Sequence, residues 1–97
     1  MPPREKVHHV KIWPENFEPV RLRIKTFEVR KNDRNYQFGD LLCLHEWDPY
    51  REAIFGDSCI SYGEPKGYTG KEITFRIGHI YNMDLDTVVL SLVEVSK

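Results

Sequence analysis

The sequence predicts a mainly β domain (α+β), a small and largely antiparallel barrel of about five to six strands with one short helix near its N-terminus. Three observations lead there. Apolar residues alternate with polar ones in several short runs, clusters of Gly, Pro, Asn and Asp separate these runs, and one early stretch carries apolar residues at helical spacing. Ninety-seven residues suffice for one core, so a single domain over 1–97 is expected. Closing the sheet would protect its edges from pairing with other chains.

The first run is Val7 to Trp13, with His8, Val10 and Ile12 on one side and His9, Lys11 and Trp13 on the other. Pro14-Glu15-Asn16 reads as a helix start, because proline fits the first turn and an acid suits the positive end of the helix dipole. Phe17, Val20 and Ile24 would face the core, and Pro19 should keep the helix short or kinked, ending near Arg23. Thr26 to Lys31 returns to period two, placing Phe27 and Val29 on the core side and Thr26, Glu28 and Arg30 on the other. A polar turn over 31–35 and Gly39-Asp40 lead into a buried strand, Leu41 to Trp47. The stretch 49–70 reads as a long connection, a functional flap or one hiding a short strand at Cys59 to Tyr62. Lys71 to Asn82 alternates until Gly78 shifts the phase, which predicts a bulge there. Thr87 to Val95 supplies a last strand, apolar enough to be covered on both sides.

Composition excludes some functions. No apolar stretch of about 18 residues could span a bilayer, and Met-Pro-Pro-Arg-Glu-Lys is not followed by the apolar run of a secretory signal. Two cysteines, Cys43 and Cys59, are too few for a disulfide scaffold, so a cytoplasmic protein with plain thiols is expected. The net charge of −1 hides a local imbalance: residues 21–34 hold six bases (Arg21, Arg23, Lys25, Arg30, Lys31, Arg34) against two acids (Glu28, Asp33). Such a segment can attract a polyanion or can be a solvated edge. Adjacent strand residues point to opposite faces, so His8 and His9 should not chelate one ion together. No ligand pair has zinc-motif spacing, and neither metal nor cofactor is expected. Phosphate-cradling, dinucleotide and nucleophile-elbow motifs are absent from the sequence.

Lys25-Thr26-Phe27-Glu28-Val29-Arg30-Lys31 carries more information. A carboxylate between cations holds an arginine fork ready for a phosphate or a base edge. The same residues could serve chemistry, with Glu28 as general base and Lys25 or Arg30 steadying an oxyanion, or they could form a surface ion pair of little consequence. Lys25, Arg30, Lys31 and Arg34 are the candidates for phosphate contact. Trp13, Tyr36 and Trp47 are candidate stacking platforms, although strand aromatics also fill cores.

These residues resemble the signature of the ASCH superfamily, barrels of the PUA-like fold related to RNA-binding domains. Lys11-Ile12-Trp13-Pro14 and Lys25-Thr26-Phe27-Glu28-Val29-Arg30 fit its outline. The closer likeness is to an uncharacterised bacterial and phage branch with a His-x-x-Lys-Ile opening, an Arg-Lys-Asn-Asp-Arg run, a Gly-Asp turn, Glu-Trp-Asp-Pro and Tyr-Thr-Gly-basic-Glu-Ile. His8 to Ile12, Arg30 to Arg34, Gly39-Asp40, Glu46 to Pro49 and Tyr68 to Ile73 match in order, and 50–67 looks like an insertion. The glycine that the superfamily carries two residues before its lysine falls at Arg23, or at Ile24 in the closer branch's spacing, and neither is glycine, so the helix should end with another geometry. The resemblance implies a cleft beside the Lys25-Glu28-Arg30 strand with RNA or another nucleic acid as ligand. An enzymatic branch hydrolyses acetylated cytidine with a Lys-x-x-Thr arrangement. Position 28 is Glu here, so that activity is not carried over. The expectation is an RNA-binding module; the alternative is a small hydrolase of modified nucleosides or RNA, with Glu28 as base beside Lys25.

Overall fold

The computed structural model describes residues 6–48 and 67–95. Five strands and one helix follow in the order β1 (Val7–Ile12), α1 (Pro14–Arg21), β2 (Phe27–Lys31), β3 (Leu41–Trp47), β4 (Tyr68–Asn82) and β5 (Thr87–Glu94). The strands form one sheet in the order β1-β3-β4-β5-β2, curled into a half-barrel. The pairs β3–β4, β4–β5 and β2–β5 are antiparallel, whereas β1 and β3 run parallel, with Val7 opposite Leu41 and Ile12 opposite Glu46. Among the described residues, backbone pairing therefore does not close the sheet, and the first two strands in sequence, β1 and β2, are its two edges.

The inner face carries the core. Val10 and Ile12 of β1, Leu42 and Leu44 of β3, Phe75 and Ile77 of β4, and Val88 and Leu90 of β5 are buried together with Phe17 and Val20 of α1. Period-two strands and a helix with buried residues three apart are the local consequence of that one-sided burial. Strand β5 is covered on one side rather than two, since its outward Val93 is 48% exposed.

Pro14 opens α1, and Pro19 lies within it without extending it: the helix has eight residues. Its end corrects two expectations. The Arg23 N–H donates to the Val20 carbonyl and the Ile24 N–H to the Pro19 carbonyl, the paired bonds of a Schellman ending. Arg23 adopts φ +64°, the left-handed backbone that glycine supplies most readily. The termination is thus the glycine geometry after all, with an arginine in it. Its guanidinium donates to the Arg21 carbonyl at 2.7 Å and to the Glu94 carboxylate, which holds the unfavourable conformation in place. The reversal of direction throws Ile24 outward, 76% exposed, so it does not join Phe17 and Val20 in the core.

The expected bulge at Gly78 is present as a register shift between Ile77 and Ile80 against β5. A Cβ at Gly78 would lie 2.6 Å from the Ser91 hydroxyl, which instead accepts the His79 N–H at 2.7 Å. Strand β4 begins at Tyr68, earlier than expected; residues 49–66, with the strand anticipated at Cys59 to Tyr62, lie outside the described residues.

Candidate functional site

Strand β2 sits in the opposite sense to the expected one. Phe27 and Val29 point outward at 45% and 44% exposure, while Glu28 is only 4% exposed. The register with β5 decides this: Glu28 lies opposite Leu90 and Arg30 opposite Val88, both core residues, so these polar side chains face the inside of the half-barrel. Phe27 does not pack into the core but lies under the Lys25 ammonium, 5.4 Å from its ring centre.

Inside, Glu28 binds both cations that the sequence grouped with it. Lys25 Nζ donates to Glu28 Oε1 at 3.3 Å and Arg30 Nη1 to Glu28 Oε2 at 3.2 Å. Arg30 Nη1 also donates to the Lys11 carbonyl at 3.2 Å, reaching from one open edge of the sheet to the other. A side chain thus spans the gap that backbone pairing leaves. Both Glu28 oxygens are engaged, which leaves the carboxylate a brace for Arg30.

Polar contacts continue inward. Tyr36, buried beside Arg30, tilts against the His8 ring with 4.8 Å between centres, and His8 Nε2 donates to Asp40 Oδ2 at 2.8 Å. Asp40 also accepts the Gln37 N–H at 3.2 Å. Among the described residues no buried side-chain nitrogen or oxygen lacks a partner. Burial pushes the Tyr36 phenol above its ordinary range, opposed by the charge and hydrogen bond of Arg30 and the charge of Arg34. A phenol whose folded pKa is raised contributes stability that is complete below the unfolded value, about 10, and is lost as pH climbs through the folded one. The urea midpoint should therefore fall between about pH 9 and 11 more in the wild type than in Tyr36→Phe; equal falls would refute this.

The basic segment proves smaller than its composition. Arg21 pairs with Glu18, Arg23 with Glu94, and Lys25 and Arg30 with Glu28. Lys31 and Arg34 remain exposed and make no ion pair among the described residues. Of the aromatic candidates, Tyr36 is corrected to an interior residue, only 6% exposed and packed on His8, so it offers no open platform. Trp47 is half-buried beneath the Lys11 ammonium, 4.3 Å from its ring centre. Trp13 is the open one, 47% exposed, two residues beyond the carbonyl that Arg30 holds.

A second group lies on the other face of the sheet and was not anticipated. His8 and His9 do point to opposite sides, but the parallel β1–β3 pairing sets His9 beside Cys43, and the antiparallel β3–β4 pairing sets His45 beside Glu72. His9 Nδ1 and His45 Nε2 are 2.9 Å apart. Cys43 Sγ donates to Glu72 Oε2 at 3.4 Å, and Glu72 Oε1 is 3.9 Å from His45 Nδ1. One donor atom each from His9, Cys43 and His45 fall within 4.8 Å of one another, so these residues could hold a metal ion. Burial, and secondarily the Glu72 carboxylate, pushes the Cys43 thiol up, while a hydrogen bond with Thr74 opposes this. His9, His45 and Glu72 line a cleft of about 350 Å³ with Tyr68, Gly70 and Lys71. In the sequence, the spacing of Cys43 and His45 signals one face of a strand. The missing signal was which strand lies next to it.

No helix among the described residues is long and apolar enough to cross a membrane. The chain is similar to a protein of Escherichia phage P2, "Uncharacterized 12.9 kDa protein in GpA 3'region", with 50% identity over 42 residues. That match covers 43% of this chain and 38% of the phage protein, so the chain spans about two fifths of its relative's length. Residues 7–92 match the family model described as "Domain of unknown function (DUF3850)". That match takes in most of the chain and part or all of every strand of the sheet, and the chain belongs to this family.

Proposed function

We propose that the chain is a nucleic-acid-binding module, with RNA as its ligand, built on a PUA-like variant of the half-barrel related to the ASCH superfamily. The observation that carries this reading is the position of Arg30. It is braced by Glu28, spans the gap between the two open edges through the Lys11 carbonyl, and has the exposed cations Lys31 and Arg34 close by in sequence. Lys25 and Arg30 keep side-chain exposures of 21% and 24%, enough for a phosphate to reach a guanidinium or ammonium already fixed in direction. Trp13 adds an exposed ring beyond the Lys11 carbonyl, where an unpaired base can stack. A single-stranded or loop ligand suits this arrangement, because its bases are free to leave their stack.

Phosphate contacts release counterions, so affinity for a short single-stranded RNA should fall as salt rises. For single strands each lost phosphate contact reduces the logarithmic slope by about 0.7, so Lys31→Ala with Arg34→Ala should reduce it by about 1.4. Fluorescence anisotropy across a salt series measures both slopes. Affinity independent of salt, or slopes unchanged by the double substitution, would overturn the proposal.

A further inference from the structure

We infer that the outer face of the β1–β3–β4 sheet is a binding site for a divalent transition-metal ion of the zinc class, held by His9, Cys43 and His45. The site is independent of the nucleic-acid reading, because these side chains lie on the opposite face from Glu28 and Arg30.

The two imidazoles supply the first argument. His9 Nδ1 and His45 Nε2 face each other at 2.9 Å, a separation at which two ring nitrogens share one proton. Both lone pairs are thereby aimed at a single point, and a metal ion displaces the proton held there. With zinc–nitrogen bonds of about 2.0–2.1 Å, two tetrahedral nitrogens stand about 3.3 Å apart, so the pair needs to open by only about 0.4 Å. The rings already lie 5.2 Å apart at a 33° tilt. Cys43 supplies the second argument. Its sulfur belongs to the same group of donors within 4.8 Å, and a nitrogen–sulfur separation of about 3.6 Å in a tetrahedral site is within reach of a side-chain rotation. Two imidazoles with one thiolate favour a borderline-soft ion over magnesium or calcium, which prefer oxygen.

Glu72 supplies the third. When His45 gives Nε2 to the metal, its proton sits on Nδ1, and the Glu72 carboxylate 3.9 Å away is placed to accept it. An orienting carboxylate behind a metal-binding histidine fixes the tautomer and strengthens the ligand. Three protein donors leave one coordination position, and the cleft lined by His9, His45, Tyr68 and Lys71 lies beside it. That is the pattern of a metal that keeps an exchangeable water or ligand, rather than of a closed structural site. On binding, the Cys43 thiol releases its proton to solvent, while the proton shared by His9 and His45 moves to an outer ring nitrogen, and the ion takes its place between them.

The test uses the full chain, stripped of metal with a chelator and titrated with cobalt(II), then zinc(II). One equivalent of cobalt should produce thiolate-to-cobalt charge-transfer absorption and strong tetrahedral d–d bands, and zinc should bleach both. Cys43→Ser should abolish the charge-transfer band, whereas Cys59→Ser should leave it. His9 is exposed, so His9→Gln leaves the core intact and should lower zinc affinity at least about tenfold, while Glu72→Gln should cost about 10- to 100-fold. Circular dichroism of each variant confirms that it is folded. Failure to bind cobalt, a charge-transfer band that survives Cys43→Ser, or zinc affinity unchanged by His9→Gln would each overturn the assignment.

Discussion

Asp40→Ala is expected to destabilise the fold by about 3–5 kcal/mol, the cost of removing one partner from a fully buried polar pair. Asp40 and His8 expose only 1% and 2% of their side chains, and their 2.8 Å bond closes the inner end of the polar line through the half-barrel. Without the carboxylate, the His8 N–H and the Gln37 N–H both lose an acceptor where water does not replace it. Gln37 and Asp40 also frame the Gly39 turn, where Gly39 takes φ +89° and its N–H donates to the Ile77 carbonyl, so the entry to β3 loosens at the same time. For a chain of this size such a loss lowers the melting temperature on the order of 20 °C. Asp40→Asn should retain part of the stability by keeping an acceptor oxygen. Thermal and urea unfolding of both variants measure this; a change below about 1 kcal/mol in Asp40→Ala would show that the pair is dispensable.

Glu28→Ala is expected to cost about 2–3 kcal/mol. The carboxylate is as buried as the core around it, but Lys25 and Arg30 are partly reached by water, which places the loss below that of Asp40. Without Glu28 two cations stand side by side with no anion between them, and Arg30 loses the brace that directs it to Lys11. The triple substitution Lys25→Met, Glu28→Leu and Arg30→Met should be much less harmful than Glu28→Ala alone, since buried ion pairs exchange for apolar side chains of similar volume at little cost. Urea midpoints of the single and triple variants separate the two cases. A triple variant less stable than Glu28→Ala would contradict the account of the brace.

Much of the fold was legible because one-sided burial writes itself into period-two strands. The limits of β3, the Gly78 bulge, the short proline-started helix and the shared face of His8, Val10 and Ile12 all follow from alternation and turn chemistry. What alternation does not carry is the choice of face. In β2, Phe27-Glu28-Val29-Arg30 alternates equally well either way, and hydrophobicity favours the wrong one. Pairing with β5 and the unpaired gap beside β1 made the polar side the inner side, because there the sheet is completed by side chains instead of backbone. Pairing partners are equally silent in a single sequence. The parallel β1–β3 contact, which no hairpin signal announces, is what joins His9 to Cys43 and His45. Charge composition overstated the basic surface for a related reason: Glu18 and Glu94 lie outside the 21–34 window yet neutralise Arg21 and Arg23 within it.

The sharpest measurement of the functional claim is an amide chemical-shift map of the nitrogen-15-labelled chain titrated with a short single-stranded RNA. The account predicts perturbations centred on Lys25, Glu28, Arg30, Lys31 and Arg34, reaching Lys11 and Trp13 across the gap between the sheet edges. Shifts confined to His9, His45, Tyr68 and Lys71 on the opposite face, or a spectrum that RNA leaves unmoved, would contradict it.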